Sequence, residues 1–247
     1  MTGALEGVTA VVTGASSGIG AATARALATA GARVALLARR RERLDALAGE
    51  LDGATVHEVD VTDDAAVARA LDAVARDLGG IDVLVNDAGY GSMVPALEAD
   101  LAEWHRMVDV NITGVLATTH AALPHLVEAA QGPRGVADVV TISSVAGRKV
   151  ASGKVNVYAA TKHAVNAFSE ALRQELAPRH VRVGLVEPGL VRSEMTEGSG
   201  AAEDAEAAME LGLMEPEDIA DAVVWMVTRH RRAAVNEMLV RPTEQVR

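Results

Sequence analysis

Cysteine is absent from all 247 residues, which excludes disulfides and thiolate metal sites and is compatible with a reducing compartment. Aromatic residues are nearly absent too: two Trp, two Tyr and one Phe. A core built without rings must rely on Ala, Val and Leu, and a stacking platform for nucleic-acid bases is excluded. Lysine is scarce, three against twenty arginines, and the formal charge is −11. No basic face is available for a phosphate backbone, so no nucleic-acid partner is expected. No apolar run reaches the length of a membrane span, and the N-terminus lacks a basic region followed by an apolar stretch. The expectation is therefore a cytoplasmic protein with no membrane partner. The seven histidines show no HxxxH or carboxylate-paired spacing, so no metal is expected.

What is abundant is apolar sequence, 49% of the chain, arranged in alternating blocks. Short β-branched runs at 8–14, 33–38, 55–60, 81–86, 136–143, 181–188 and 236–242 read as strands. Helical patterns fill the gaps at 19–30, 41–51, 63–78, 100–130, 157–177 and 216–228. The last opens on Pro216 with acids in its first turn, a good N-terminal signature. Such alternation predicts an α/β fold, a doubly wound parallel sheet of about seven strands with helices on both faces and right-handed crossovers. One domain spans 1–247, and the small, acidic stretch 190–213 reads as a mobile substrate flap. Trp104, Trp225 and Phe168 lie in helical patterns and are expected to pack.

Gly14, Gly18 and Gly20 in "VVTGASSGIG" follow the first strand and open the first helix. Glycines there let the backbone approach a pyrophosphate, and the helix N-terminus supplies donors and positive potential. The second strand ends in "LLARRRERL", with Ala38 and Arg39 where an acid would select a free ribose 2′-hydroxyl. A guanidinium there suits a 2′-phosphate, aided by the Ser16 and Ser17 hydroxyls, so NADP(H) is the expected cofactor. The alternative is that Arg39 to Arg41 only solvate a helix start.

Two scarce residue types stand four apart in "VYAATKHAV": Tyr158 and Lys162. On a helix that spacing puts both on one side, about 6 Å apart along the axis. A cation about 4 Å from a phenol favours phenolate by roughly 4 kcal/mol at an effective dielectric near 20. That would bring a tyrosine roughly three units down, toward neutrality, less the cost of desolvation. A bare YxxxK is also what an ordinary amphipathic helix contains; the surrounding motifs decide otherwise. "VNDAG" (85–89), "VNITG" (110–114), "TISSVAGRKV" (141–150) and "EPGLVRSEM" (187–195) follow the glycine turn in order.

The joint pattern resembles the short-chain dehydrogenase/reductase family over nearly the whole chain, its C-terminal part being similar to the clavulanic acid dehydrogenase and 3-hydroxy-acid-dehydrogenase-like branch. The resemblance implies a Rossmann-type fold and an NADPH-dependent carbonyl reductase, reversible to an alcohol dehydrogenase. It implies Tyr158 as acid/base, Lys162 to lower its pKa and hold the nicotinamide ribose, Ser144 as donor to the substrate oxygen, and Asn111 to hold a water. Val61, Asp60, Asn86, Ala88 and Gly89 would lie along the adenosine with Ile19 near the phosphates. Pro188, Gly189, Val191 and Ser193 would border the nicotinamide. A small carbonyl or alcohol substrate and a homotetramer (or homodimer) built on the fourth and fifth crossover helices are also implied.

Two departures stand out. Asp87 replaces the second Asn of the usual NNAG. The Ser144–Tyr158 gap is fourteen positions, one more than usual, so counting back lands on Val145. Ser144 is kept with the extra residue in loop 148–156, which would then line the substrate pocket; Ser143 is the substitute. Tyr90 is poised between touching substrate and packing. His163, beside Lys162, points elsewhere. The alternative function is an NADP-binding regulator of the same fold without turnover.

Overall fold

The computed structural model describes residues 3–195 and 212–245. Seven parallel strands form one sheet: β1 (Thr9–Thr13), β2 (Arg33–Ala38), β3 (Thr55–Glu58), β4 (Val83–Asn86), β5 (Ala137–Ile142), β6 (Val181–Pro188) and β7 (Glu237–Val240), in the order β3-β2-β1-β4-β5-β6-β7. β1, β4 and β5 are buried along their whole length, as their Val-rich centres require. Helices α1 (Gly18–Thr29), α2 (Arg41–Ala48) and α7 (Pro216–Val227) cover one face, sealing a core that includes Leu27, Leu44, Ile219 and Val223. On the other face α3 (Asp64–Leu78), α5 (Gly114–Ala129) and α6 (Asn156–Leu176) bury Leu71, Val74, Leu126 and Leu172. Each such leucine contributes about 2 kcal/mol by leaving water. Helix α3 shows the local logic. Asp63 caps it by accepting from the Ala66 N–H at 2.9 Å, an apolar stripe repeats every three or four residues, and Gly79 ends it at φ 80°.

The expected seven-stranded, doubly wound α/β fold is what the chain adopts. Element ends move by one to three residues: β3 stops at Glu58, because Asp60 turns its carboxylate onto the N–H and hydroxyl of Thr62 and starts a turn. One larger correction concerns the helix expected over 100–130. It is α4 (Leu101–Val108), a π turn (Asp109–Thr113) and α5. Hydropathy periodicity does not register the one extra residue of a π turn, a feature common at functional sites. Trp225 is also corrected: it is half exposed on α7, with Arg229 stacked 4.5 Å from its ring, whereas Trp104 and Phe168 pack as expected. Of the stretch read as a flap, residues 196–211 lie outside the described residues. Among the described residues no helix is long and apolar enough to cross a membrane.

Strand order reverses between β1 and β4. The chain leaves the carboxyl ends of these neighbours in opposite directions, and the crevice between them is where an open α/β sheet accepts a ligand.

Candidate active site

A cleft of about 540 Å³ opens at this crevice. Its floor is two backbone turns packed against each other. Thr13, the last residue of β1, accepts from the N–H groups of Asp87 and Ala88 at 3.0 and 3.1 Å, tying the turn after β4 to the turn after β1. Gly14 sits at φ 70°, where a Cβ would lie 2.8 Å from the Ala88 nitrogen, so only glycine fits. Helix α1 then begins at Gly18 with no acid in its first turn and no side-chain cap from Ser17. The Gly20 N–H is taken by Asp87; the N–H groups before it and the positive end of the dipole suit an anion.

Of the residues expected to bind a cofactor, Gly14, Ser16, Ser17, Gly18 and Ile19 line this end of the cleft. Arg39, Asp60, Val61, Ala88, Gly89, Tyr158, Lys162, Pro188, Gly189 and Val191 line the rest of it, and Ser193 lies over the turn beside Gly18. Two are corrected. Gly20 lies behind the turn, its hydrogen facing a carboxylate oxygen of Asp87 at a distance no Cβ could share. Asn86 is buried beneath the floor, donating to Thr119 at 2.9 Å and accepting from Thr118 at 2.7 Å. Both hold the cleft's shape rather than line it.

Arg39 and Arg40 both line the cleft. Arg39 is mostly exposed and lies 3.8 Å from Asp60. Arg40 instead folds back over the phosphate turn, donating to Ser16 at 3.0 and 2.9 Å and to Ser17 at 2.6 Å. In a run of three arginines the sequence offers no means of telling which one turns inward.

At the far end Ser144, Tyr158 and Lys162 meet. Ser144 follows β5 and accepts from the Ala146 N–H at 3.1 Å; its hydroxyl is also hydrogen-bonded to Tyr158. Ser143 also lines the cleft but donates its hydroxyl to Asn166 at 2.6 Å. Tyr158 and Lys162 share the buried side of α6. Asn111, in the π turn, does not line the cleft. Its oxygen accepts from the Tyr90 N–H at 2.8 Å, while its amide donates to the Tyr90 carbonyl at 2.8 Å and the Thr161 hydroxyl at 3.1 Å. The π turn thereby pins the loop after β4 to α6, which makes Asn111 a positioning residue.

The electrostatics of the site turn on Lys162. Its Nζ lies 5.7 Å from the Tyr158 ring centre and donates to the Ile142 carbonyl at 2.9 Å. Burial pushes the phenol above its ordinary value; the Ser144 hydrogen bond pulls it back and the charge of Asp87 pushes it up again. Desolvation is the largest of these influences. The same burial lowers Lys162 to about 8, opposed by Asp87. Asp87 is itself pushed up to about 8 by burial, against the attraction of Lys162 and a hydrogen bond from the Gly20 N–H.

The wall near Tyr158 includes Gly91, Val110 and Met195, from stretches the sequence pointed to, and Arg106, which it did not single out. Tyr90 lines it too, with its hydroxyl donating to Glu103 and Arg106 stacked 3.8 Å from its ring. Loop 148–156 contributes nothing to the lining, contrary to expectation. Arg148 leads it away onto Glu187 and Glu237, and Asn156 ties its end to the Val94 carbonyl. His163 faces its own helix, beside the Ala159 carbonyl.

A family described as short chain dehydrogenase matches residues 8–204. The chain belongs to that family. Members are oxidoreductases, and the cleft is where this fold places its chemistry. Among curated relatives, the glycine betaine reductase ATRR of Emericella nidulans is 40% identical over 253 residues, covering 98% of this chain but 19% of that much longer protein. An uncharacterized oxidoreductase of Staphylococcus epidermidis is 37% identical over 234 residues, covering 94% of this chain and 96% of its own. Among solved structures, the closed form of serine dehydrogenase complexed with NADP+ superposes with a TM-score of 0.87 at 34% identity, covering 97% of each chain.

Proposed function

We propose that this chain is an NADPH-dependent carbonyl reductase acting on an aldehyde or ketone. The observation that carries the reading is Tyr158 held between Ser144 and Lys162 at one end of a cleft whose other end is a helix N-terminus under Arg40. Two hydroxyls and a guanidinium beside the phosphate turn suit a ribose 2′-phosphate, and the serine dehydrogenase neighbour is complexed with NADP+. When bound, the dinucleotide supplies the hydride that adds to the carbonyl carbon.

The chain's own residues supply the rest. Burial keeps the Tyr158 phenol protonated at neutral pH, so it is a proton donor: it gives its proton to the carbonyl oxygen, completing the alcohol. Ser144 donates to the same oxygen and holds it toward the phenol. Lys162, charged below its pKa of about 8, offsets the phenolate left behind. An acid this weak favours reduction; the reverse reaction needs a phenolate and therefore a higher pH. Leu101, Val108 and Leu116, exposed on α4 and α5, support a homotetramer or homodimer packed on these helices, which light scattering on the purified protein tests.

The test is NADPH oxidation with a panel of aldehydes and ketones by wild type and Tyr158→Phe. Wild type turns over and the variant loses about 100- to 10,000-fold. Equal rates in the two proteins would remove the assignment.

A further inference from the structure

Arg40 and Arg43 stand at the start of α2 on one rim of the cleft; Glu194 comes from the opposite rim, in the chain that follows β6. The Glu194 carboxylate takes both guanidinium groups, one oxygen on Arg40 Nη1 at 2.7 Å and the other on Arg43. The remaining nitrogens of Arg40 grip Ser16 and Ser17 on the phosphate turn. Arg192 turns the other way, onto Glu215 at 3.0 Å, so the segment is pinned on both sides. A Cβ on Gly18 would lie 3.9 Å from that of Ser193, which lays this segment directly over the turn. Two cations and two hydroxyls converging on one point form a phosphate-binding cluster by their chemistry, and a carboxylate already sits in it. Exposed ion pairs of this kind contribute little to folding, so their consequence is felt in binding.

Resting on the reading of NADP(H) as cofactor, we propose that Glu194 is a cofactor-selectivity residue: its carboxylate stands in for the 2′-phosphate on Arg40 and Arg43 and lowers affinity for NADP(H) alone. NAD(H) carries a hydroxyl at that position and has no need of the two arginines. A 2′-phosphate must displace the carboxylate before it can be gripped, or bind beside it against like-charge repulsion. Both routes weaken the phosphorylated dinucleotide, and neither touches the other. The chain thus restrains the preference its own arginines create.

The experiment is equilibrium binding of NADP+, NAD+ and adenosine 2′,5′-bisphosphate to wild type and to Glu194→Gln, by calorimetry at low and high salt. Glu194 is half exposed, and the glutamine keeps its shape. Wild type is expected to prefer NADP+. The variant binds NADP+ and the bisphosphate about 3- to 10-fold more tightly, with NAD+ unchanged, and salt shrinks the gain. If wild type prefers NADP+ but the variant binds it no better, the carboxylate only orients the arginines and the inference is overturned while the cofactor reading stands. Equal tightening of both dinucleotides overturns it as well, since the effect is then not at the 2′ position. Wild type binding NAD+ as tightly as NADP+ removes the cofactor reading itself and the inference with it.

Discussion

Replacing Asp87 by Asn removes a negative charge from the cleft floor at almost constant shape. Asp87 titrates at about 8 in the fold against 3.8 ordinarily, because burial disfavours its carboxylate. The folded state therefore binds this proton more tightly than the unfolded chain. Stability from this group is lost as pH rises from about 4 to about 8 and stays low above that. Between pH 5 and pH 9 the shift corresponds to at most about 4 kcal/mol at 1.36 kcal/mol per unit. Contact with cleft water brings the expected figure to about 2 kcal/mol. Asparagine has no proton to lose, so Asp87→Asn gains on wild type as pH rises. Urea unfolding of both proteins at pH 5.5, 7 and 9 measures this directly. Parallel stability profiles across that range would refute the reasoning.

Other outcomes follow from the same geometry. The rate of carbonyl reduction falls as pH rises through about 8 and Lys162 loses its proton; Lys162→Arg, slower at neutral pH, lacks that fall in its pH–rate profile. Glu187 is fully buried, accepting from Arg148 at 2.6 Å and Asn166 at 2.7 Å, so Arg148→Ala strands a charge and costs about 3 kcal/mol, read as a fall in Tm of about 6–12 °C. Gly14→Ala meets the Ala88 backbone in a left-handed conformation, and calorimetry should find dinucleotide binding lost before the fold is, by comparison with the circular dichroism melt.

The fold was legible because each element carries its own signal. Unbroken Val and Leu runs mark strands covered on both faces, and Asp63 and Gly79 bracket α3 at the residues a capping argument expects. Of the candidate site, the Tyr158–Lys162 pair could be read from spacing, since residues four apart on a helix share a face, the glycine turn from its place between strand and helix, and Ser144 from its local motif against the count. What remained hidden is set by side-chain torsions and long-range packing. Nothing local distinguishes Arg40 from Arg39, and the π turn around Asn111 changes helical phase by one residue that periodicity averages away. Asn86 is a polar residue facing a buried pair of threonines, visible only once α5 is laid against β4. The charge balance at Tyr158 was the largest departure. Sequence spacing gives the distance along a helix but not where an ammonium points, and Lys162 points at the Ile142 carbonyl.

The proposed chemistry hangs on the protonation of a single hydroxyl, and the chain's two tyrosines make that measurable. The ultraviolet phenolate titration of wild type minus that of Tyr158→Phe isolates Tyr158, the other ring being Tyr90. The account predicts that the difference signal stays flat through neutrality and rises only above pH 10, where burial has moved the phenol. A phenolate growing in near pH 7 would contradict it.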